Sequence, residues 1–252
     1  MKMTGNTILI TGGGSGIGRG LAEGLQAQGN QVVIAGRRRA VLEETVAANP
    51  GMKFLTLDIA DAAAIKPFAA QVAEEFPTLN VLVNNAGIMR AEDLLDQQWD
   101  LADAEAMVAT NLLGPIRLTA ALLPLLRRQA QSAIMNVSSG LAFTPLAVTP
   151  TYSATKAALH SYTCSLRYQL KDTTTEVVEI IPPYVQTELM HGANDPRAMP
   201  LKKFVAETME ILNTEPMPVE NCVKNARSLR FAESKGIFDA VFKGLNDAFA
   251  KH

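Results

Sequence analysis

The chain has 252 residues, 48% hydrophobic and 19% charged, with 23 Lys and Arg against 25 Asp and Glu. That length allows one large domain or two small ones, each with a full core, and excludes a disordered chain. A net charge of -2 with interspersed signs excludes a polybasic surface for nucleic acid or anionic lipid, and the 2 cysteines exclude a disulfide scaffold.

Cys164 and Cys222 form no CxxC or Cys/His cluster, so two buried free thiols in a reducing compartment are expected, and no metal site. The N-terminus lacks the basic, apolar and small-residue succession of a signal peptide. Residues 129–155 are uncharged, but they contain Asn136, Ser138, Ser139, Pro145 and Pro150, a poor membrane span. A soluble, cytoplasmic protein is expected, with no membrane or nucleic-acid partner.

Short apolar runs alternate with segments of helical period. Strands are expected at Thr7–Ile10, Gln31–Ala35, Lys53–Leu57, Val81–Asn84, Ala133–Val137 and Val177–Ile181. Helices are expected at Gly16–Gln28, Arg39–Ala48, Ala62–Phe76, Ala104–Arg128 and Tyr152–Lys171. Strands with little polar alternation are buried on both faces, so the series predicts an α/β fold, a doubly wound parallel sheet with helices on both faces. No linker or repeat interrupts it, and a single domain is expected over residues 1–252.

The first strand runs into Thr11-Gly12-Gly13-Gly14-Ser15-Gly16-Ile17-Gly18, which opens a helix. Glycines there permit a tight turn and let backbone N–H groups approach a pyrophosphate at the positive end of the helix. A flexible turn is the plainer alternative, disfavoured by the strand–loop–helix context. About 20 residues on, where an NAD-binding unit carries an acid for the ribose hydroxyls, this chain has Gly36-Arg37-Arg38-Arg39. Cations at a helix start oppose its dipole unless an anion sits beside them, and the 2′-phosphate of NADP is such an anion. NADP(H) is therefore expected to be preferred, with NAD(H) possible and a solvated basic turn as the alternative. Asp58, followed by Ile59, ends the third strand as an adenine contact or a local turn cap. Asn84-Asn85-Ala86-Gly87 ends the fourth, small and amide-rich where a cofactor ribose would cross the backbone, with Asn84 open to a structural role.

In the next helix Pro115 removes the N–H that would bond the carbonyl of Asn111. A buried carbonyl so freed takes an ordered water, which could relay protons; an ordinary kink is the alternative. The fifth strand closes with Asn136-Val137-Ser138-Ser139-Gly140. Ser139 is placed at the carboxyl edge of the sheet, able to bond a carbonyl oxygen as charge develops, with Ser138 the competing hydroxyl. Tyr152 and Lys156 are one helical turn apart, so the ammonium can lie beneath the phenol. A tyrosine of pKa about 10 needs roughly 3 units of help to act near neutrality, which a lysine and a positive nicotinamide ring would supply. His160, a turn further, is expected to be packed or capping.

Together these residues resemble the short-chain dehydrogenases/reductases from end to end. The family's TGxxxGxG falls on Thr11 to Gly18 and its NNAG on Asn84 to Gly87, while its catalytic Asn, Ser, Tyr and Lys fall on Asn111, Ser139, Tyr152 and Lys156. The resemblance implies a Rossmann fold, a nicotinamide cofactor, hydride transfer between its C4 and a carbonyl carbon, and a homodimer or homotetramer. It places Gly12, Gly14, Ser15, Gly16, Ile17, Gly18, Arg37, Arg38, Asp58, Ile59, Asn85, Ala86, Gly87, Tyr152, Lys156, Pro182, Val185 and Thr187 at the cofactor. The family's Pro-Gly-x-Val-x-Thr reads Pro182-Pro183-Tyr184-Val185-Gln186-Thr187, and the rigid pair is expected to alter loop closure. Ser139 to Phe143, the proline pair and Arg197 to Leu201 are similar to a bacterial DltE-like subgroup.

Beyond Ile181, Pro182, Pro183, Pro196 and Pro200 disfavour a regular element. The stretch leaves the carboxyl end of a strand, where ligands bind in open α/β sheets. A substrate lid is expected at about 184–213, a plain surface loop being the alternative. Leu141, Phe143, Leu146, Tyr184 and Met190 are expected to line the substrate, with His191 and Asn194 as polar contacts. Phe204 to Ala250 returns to helical period, with a strand possible only around Gly236 to Phe238. The resulting expectation is an NADP(H)-dependent reductase of a small to medium, partly apolar carbonyl, reversible as a secondary-alcohol dehydrogenase. The alternative is a nucleotide-binding sensor or scaffold without turnover, because fold alone does not fix activity.

Overall fold

The computed structural model describes residues 1–96 and 100–250. Its strands are β1 (Thr7–Thr11), β2 (Gln31–Gly36), β3 (Lys53–Thr56), β4 (Leu79–Asn84), β5 (Ser132–Val137), β6 (Thr175–Ile181) and β7 (Glu220–Cys222). They form one 7-stranded sheet in the order β3-β2-β1-β4-β5-β6-β7, every pair parallel. Successive side chains go to opposite faces, and both faces are covered. Ile8 and Ile10 join Val32, Ile34, Val81 and Val83 in one core, whereas Leu9, Val33, Ala35 and Leu82 enter the other. Each apolar side chain taken wholly out of water contributes roughly 1.5–3 kcal/mol, which is why the sequence shows apolar runs instead of alternation.

Helices α1 (Gly16–Ala27) and α2 (Arg39–Ala48) pack on the first face, and α3 (Ala62–Glu75) packs on the second. Asp61 starts α3 by accepting from the Ala63 N–H at 2.8 Å. The expected helix over residues 104–128 is found as α4 (Ala102–Val108) and α5 (Gly114–Leu126), joined by a π turn at Ala109–Leu113. Pro115 cannot donate, and the wider turn accommodates it, with the Gly114 N–H reaching back to the Ala109 carbonyl. By length and composition the stretch Ala102–Leu126 could cross a membrane, but here α5 packs against α3, β4 and β5. Helix α6 (Pro150–Leu170) opens on Pro150, whose missing N–H costs nothing in a first turn.

The C-terminal part departs from expectation. Residues 201–212 of the expected lid are α7 (Leu201–Leu212), with Phe204 and Thr208 fully buried. This helix lies on α1 at a glycine-lined contact, where a Cβ on Gly20 would come within 2.7 Å of Val205 Cγ2. β7 was not foreseen, being too short to show a period. The patch at Gly236 to Phe238 holds no strand: Gly236, at φ 67, ends a turn and Phe238 begins the last helix. The turn follows α8 (Arg227–Arg230) and leads into α9 (Phe238–Phe249). Both cysteines are free; Cys222 is buried, but Cys164 is exposed on the outer face of α6, contrary to expectation.

Candidate active site

The strand order reverses direction between β1 and β4, and a cleft of about 780 Å³ opens over their carboxyl ends. The Gly-rich turn after β1 forms one wall. Gly12 takes φ 67, and a Cβ on Gly18 would lie 2.2 Å from the Gly12 carbonyl oxygen, so the turn closes on α1 only with glycine at that position. Gly14, Ser15, Gly16, Ile17 and Gly18 all line the cleft. The first turn of α1 carries no acid, which leaves its N–H groups and positive dipole end to an anion. Asn85 ties this turn to β4, its Nδ2 donating to the Thr11 carbonyl at 2.9 Å. The Thr11 hydroxyl in turn accepts from the N–H groups of Asn85 and Ala86 at 3.0 and 3.1 Å. Asn84 is structural, buried and donating to Thr119 and Asn136.

Arg37, Arg38, Asp58 and Ile59 line the same end. Arg38 Nη2 donates to the Ser15 hydroxyl at 3.1 Å, and Arg37 Nη1 lies 3.8 Å from Asp58 Oδ2. Asp58 also caps its own turn, accepting from the Ala60 N–H at 3.0 Å. Arg39 turns away to pair with Glu43 at 2.7 Å and to cover the Phe54 ring.

At the other end, Ser139 stands extended at the close of β5, its Oγ accepting from the Leu141 N–H at 3.1 Å and close enough to the Tyr152 hydroxyl to act on its proton. Ser138 is turned to β6, its hydroxyl donating to the Ile180 carbonyl at 3.5 Å. Tyr152 is 6% exposed and Lys156 4%, and both line the cleft. Lys156 Nζ donates to the Val137 carbonyl at 2.8 Å and lies 5.7 Å from the centre of the Tyr152 ring. Burial pushes the Tyr152 phenol up to about 12, against the lowering effect of Ser139. Burial likewise pulls the Lys156 ammonium down to about 8, against the raising effect of Glu179. Loss of water outweighs the lowering by Ser139, so the protein's own side chains raise the phenol, and the expected lowering would fall to the charge of the nicotinamide ring. Such a phenol holds its proton at neutral pH, ready to be given up.

Asn111 sits in the π turn, wholly buried and outside the cleft lining. Its Oδ1 accepts from the Ile88 N–H and its Nδ2 donates to the Ile88 carbonyl, both at 2.8 Å, with Thr155 Oγ1 at 3.2 Å. Gly87 completes this corner: a Cβ there would lie 3.4 Å from Asn111 Oδ1 and 3.7 Å from Lys156 Nζ.

The expected substrate residues Leu141, Leu146, Tyr184 and Met190 line the cleft beside Tyr152, as do Pro182, Val185 and Thr187. The base of their loop is pinned. Gln186 N–H donates to the Met199 carbonyl at 2.9 Å and Met199 N–H to the Tyr184 carbonyl at 2.8 Å. Phe143 is a correction: it packs edge-on to His160 at 4.7 Å and beneath Arg230 at 4.3 Å, away from the cleft. A one-turn 3-10 helix at Gly140–Ala142 rotates it off the line that Leu141 follows. Asn194 is exposed and also outside the lining, and the expectation for the His191 side chain lies outside what the structure describes.

Residues 6–198 match the family model described as short chain dehydrogenase. The chain belongs to the short-chain dehydrogenase family. It is 39% identical over 251 residues, 98% of each chain, to the uncharacterized oxidoreductase DltE of Bacillus subtilis. It is 34% identical over 195 residues, 74% of each chain, to an NADP-dependent 3-hydroxy acid dehydrogenase of Schizosaccharomyces pombe. A short chain dehydrogenase of Burkholderia cenocepacia, solved in complex with NADP, shares the fold with a TM-score of 0.82 at 24% identity, covering 97% of this chain and 99% of its own. The protein is thus an oxidoreductase on a Rossmann fold, of a family that binds nicotinamide cofactors.

The residues present fit such a cofactor: the glycine turn leaves a cradle that side chains would fill, and cations stand at one end with a buried Tyr–Lys pair at the other. This short-chain dehydrogenase also lines its cleft with Met89, Leu229, Leu245 and Phe249, none of them foreseen. Phe249 meets the Tyr184 ring at 5.6 Å, and Arg197, forked onto Asp195 at 2.6 Å, lies 4.2 Å over the same Phe249. The spacing of Phe238, Phe242, Leu245 and Phe249 marks one helix face, a signal visible in the sequence although its destination was not.

Proposed function

We propose that this short-chain dehydrogenase reduces a small to medium, partly apolar carbonyl compound with NADPH, and oxidises the matching secondary alcohol in reverse. The observation that carries the reading is the buried Tyr152 phenol, beside Ser139 and backed by Lys156 at the end of one cleft. The glycine turn and the first amides of α1 hold the pyrophosphate, and Arg37, Arg38 and Ser15 hold the 2′-phosphate. Asn85 to Gly87 and Lys156 take the nicotinamide ribose, and Pro182, Val185 and Thr187 border the ring. When bound, the nicotinamide supplies or accepts the hydride. Ser139 orients the substrate oxygen, Tyr152 donates its proton to that oxygen, and the Lys156 ammonium stabilises the phenolate left behind. Asn111 fixes the Gly87–Ile88 corner and positions the water that restores the proton.

The arginine pair and the lack of an acid at Gly36 support NADP(H), as does the likeness to the NADP-dependent dehydrogenase of Schizosaccharomyces pombe. That relative also makes 3-oxo acids the first substrates to try. A homodimer or homotetramer is inferred from membership of the family, with the long helical stretches over residues 104–128 and 152–171 packing against their symmetry mates. A cytoplasmic setting is inferred from the exposed free thiol of Cys164.

The test follows nicotinamide absorbance with NADPH or NADH across aldehydes, ketones, diketones and 3-oxo acids. Consumption of NADPH faster than NADH is expected. Faster NADH turnover would remove the arginine argument, and tight NADPH binding without turnover would favour a sensor.

A further inference from the structure

Behind the catalytic corner lies a buried ionisable group that the reaction above leaves idle. Glu179, in β6, is fully buried. Its Oε2 lies 2.7 Å from His160 Nδ1, and its Oε1 has no hydrogen-bond partner among the described residues. A carboxylate stripped of water and half unpaired is unfavourable unless an opposite charge stands near.

The register supplies that charge. Glu179 pairs with Asn136 across the sheet and Ile180 with Val137, whose carbonyl takes the Lys156 ammonium at 2.8 Å. Lys156 and His160 are one turn apart on α6, the helix that covers this part of β6. Other charged groups stand beyond Glu179 on β7 and α8, and the acid among them, Glu220, is already taken by Arg230. Glu220 is held by Arg230 through two bonds of 2.7 and 2.9 Å, and Arg227 and the Cys222 thiol lie beyond. From α6, Cys164 Sγ lies 3.8 Å from the far nitrogen of His160. His160, Glu179 and Glu220 bring ligand atoms within 4.8 Å of one another, as a metal ion would want, yet Arg230 already occupies Glu220. Arg230 shares its charge with Glu220, whereas Lys156 is a buried cation that, among the described residues, has no carboxylate paired to it.

We propose that Glu179, steadied by His160, is a positioning residue of this enzyme: the buried counter-charge that keeps the Lys156 ammonium charged as the Tyr152 proton leaves. The inference rests on the role proposed for Lys156. Burial alone pulls that ammonium down, Glu179 opposes the pull, and the balance stands at about 8.

The test titrates Lys156 directly, by NMR on cofactor-free protein carrying isotope-labelled lysine, with Lys156→Met to assign the signal. Glu179→Gln removes the charge at constant shape, and Glu179→Met does so with an apolar side chain of similar length, a replacement that buried charges commonly tolerate. Both are expected to lower the Lys156 titration by about one pH unit or more, while Glu179→Asp stays near wild type. The alkaline limb of kcat/KM for NADPH should move down with it, where a purely structural role would scale activity equally at every pH. An unmoved Lys156 titration in folded Gln or Met variants would overturn the inference, whatever the turnover. A moved titration in a protein without turnover would instead fail the proposed function alone.

Discussion

Asn111 grips the Ile88 peptide group from both sides, its amide oxygen taking the N–H and its amide nitrogen giving to the carbonyl, each at 2.8 Å. The Gly87 to Arg90 segment lines the cleft, so this one side chain fixes the wall that faces Lys156. The π turn imposed by Pro115 aims Asn111 at Ile88; in a regular helix the same residue would be rotated off it. Asn111→Leu would leave both part-buried Ile88 groups without their protein partner. Urea unfolding should show a loss of about 1–3 kcal/mol, with weaker NADPH binding in the protein that remains folded.

Gly18 has no room to vary. A Cβ there meets the Gly12 carbonyl oxygen at 2.2 Å and Asn85 Nδ2 at 2.4 Å, and the backbone oxygen cannot step aside without opening the turn. Gly18→Ala should reduce NADPH affinity more than about tenfold by calorimetry, because the turn that presents the N–H groups is distorted. The far-ultraviolet circular dichroism should stay near wild type.

Arg38 and Ser15 stand 3.1 Å apart at the cleft mouth, with Arg37 beside them. A charge-assisted contact to phosphate contributes roughly 1.5–3 kcal/mol. Arg38→Ala should therefore lower kcat/KM with NADPH by about ten- to a hundredfold and leave the NADH value nearly unchanged. Equal losses with both cofactors would mean that the arginine serves the fold instead.

Much of this was legible because burial writes itself into sequence. β1 to β6 appear as apolar runs, and Ser139, Tyr152 and Lys156 gather in one cleft because strand ends and helical spacing leave few other arrangements. The remainder depended on contacts that local pattern does not carry. β7 spans only Glu220–Cys222 and is held by remote bonds, including Asn221 Nδ2 to the Thr208 carbonyl at 2.9 Å. Phe143 stands two residues from Leu141 but is turned outward by the 3-10 helix between them. The direction of the Tyr152 shift needed the degree of burial, which spacing does not report.

The pH dependence follows from the two buried groups. Tyr152, at about 12, holds its proton throughout the working range, so the donor is not lost first. Lys156, lowered to about 8, is charged below that pH and neutral above it. For reduction, kcat/KM for NADPH reports the free enzyme and should be flat at neutral pH and fall as pH rises through about 8. A decline appearing only near the tyrosine value would show that the ammonium is not needed.

Helix α9 closes the Tyr184 end of the cleft through Phe249, which touches Tyr184 and Arg197, and through Asn246, whose Oδ1 accepts from the Ala147 N–H at 2.6 Å. Phe249→Ala should raise KM for an apolar carbonyl several-fold while NADPH affinity stays within about twofold, since a half-buried ring contributes packing worth roughly 1–2 kcal/mol. An unchanged KM would place the substrate elsewhere in the cleft.

The most direct test of the whole account compares wild type with Tyr152→Phe in single-turnover reduction under saturating NADPH. The variant keeps the ring in place and removes only the proton that Tyr152 gives. The account predicts unchanged NADPH affinity and a rate lower by about two to four orders of magnitude, the usual worth of a positioned acid. A Phe variant that turns over at the wild-type rate would contradict it.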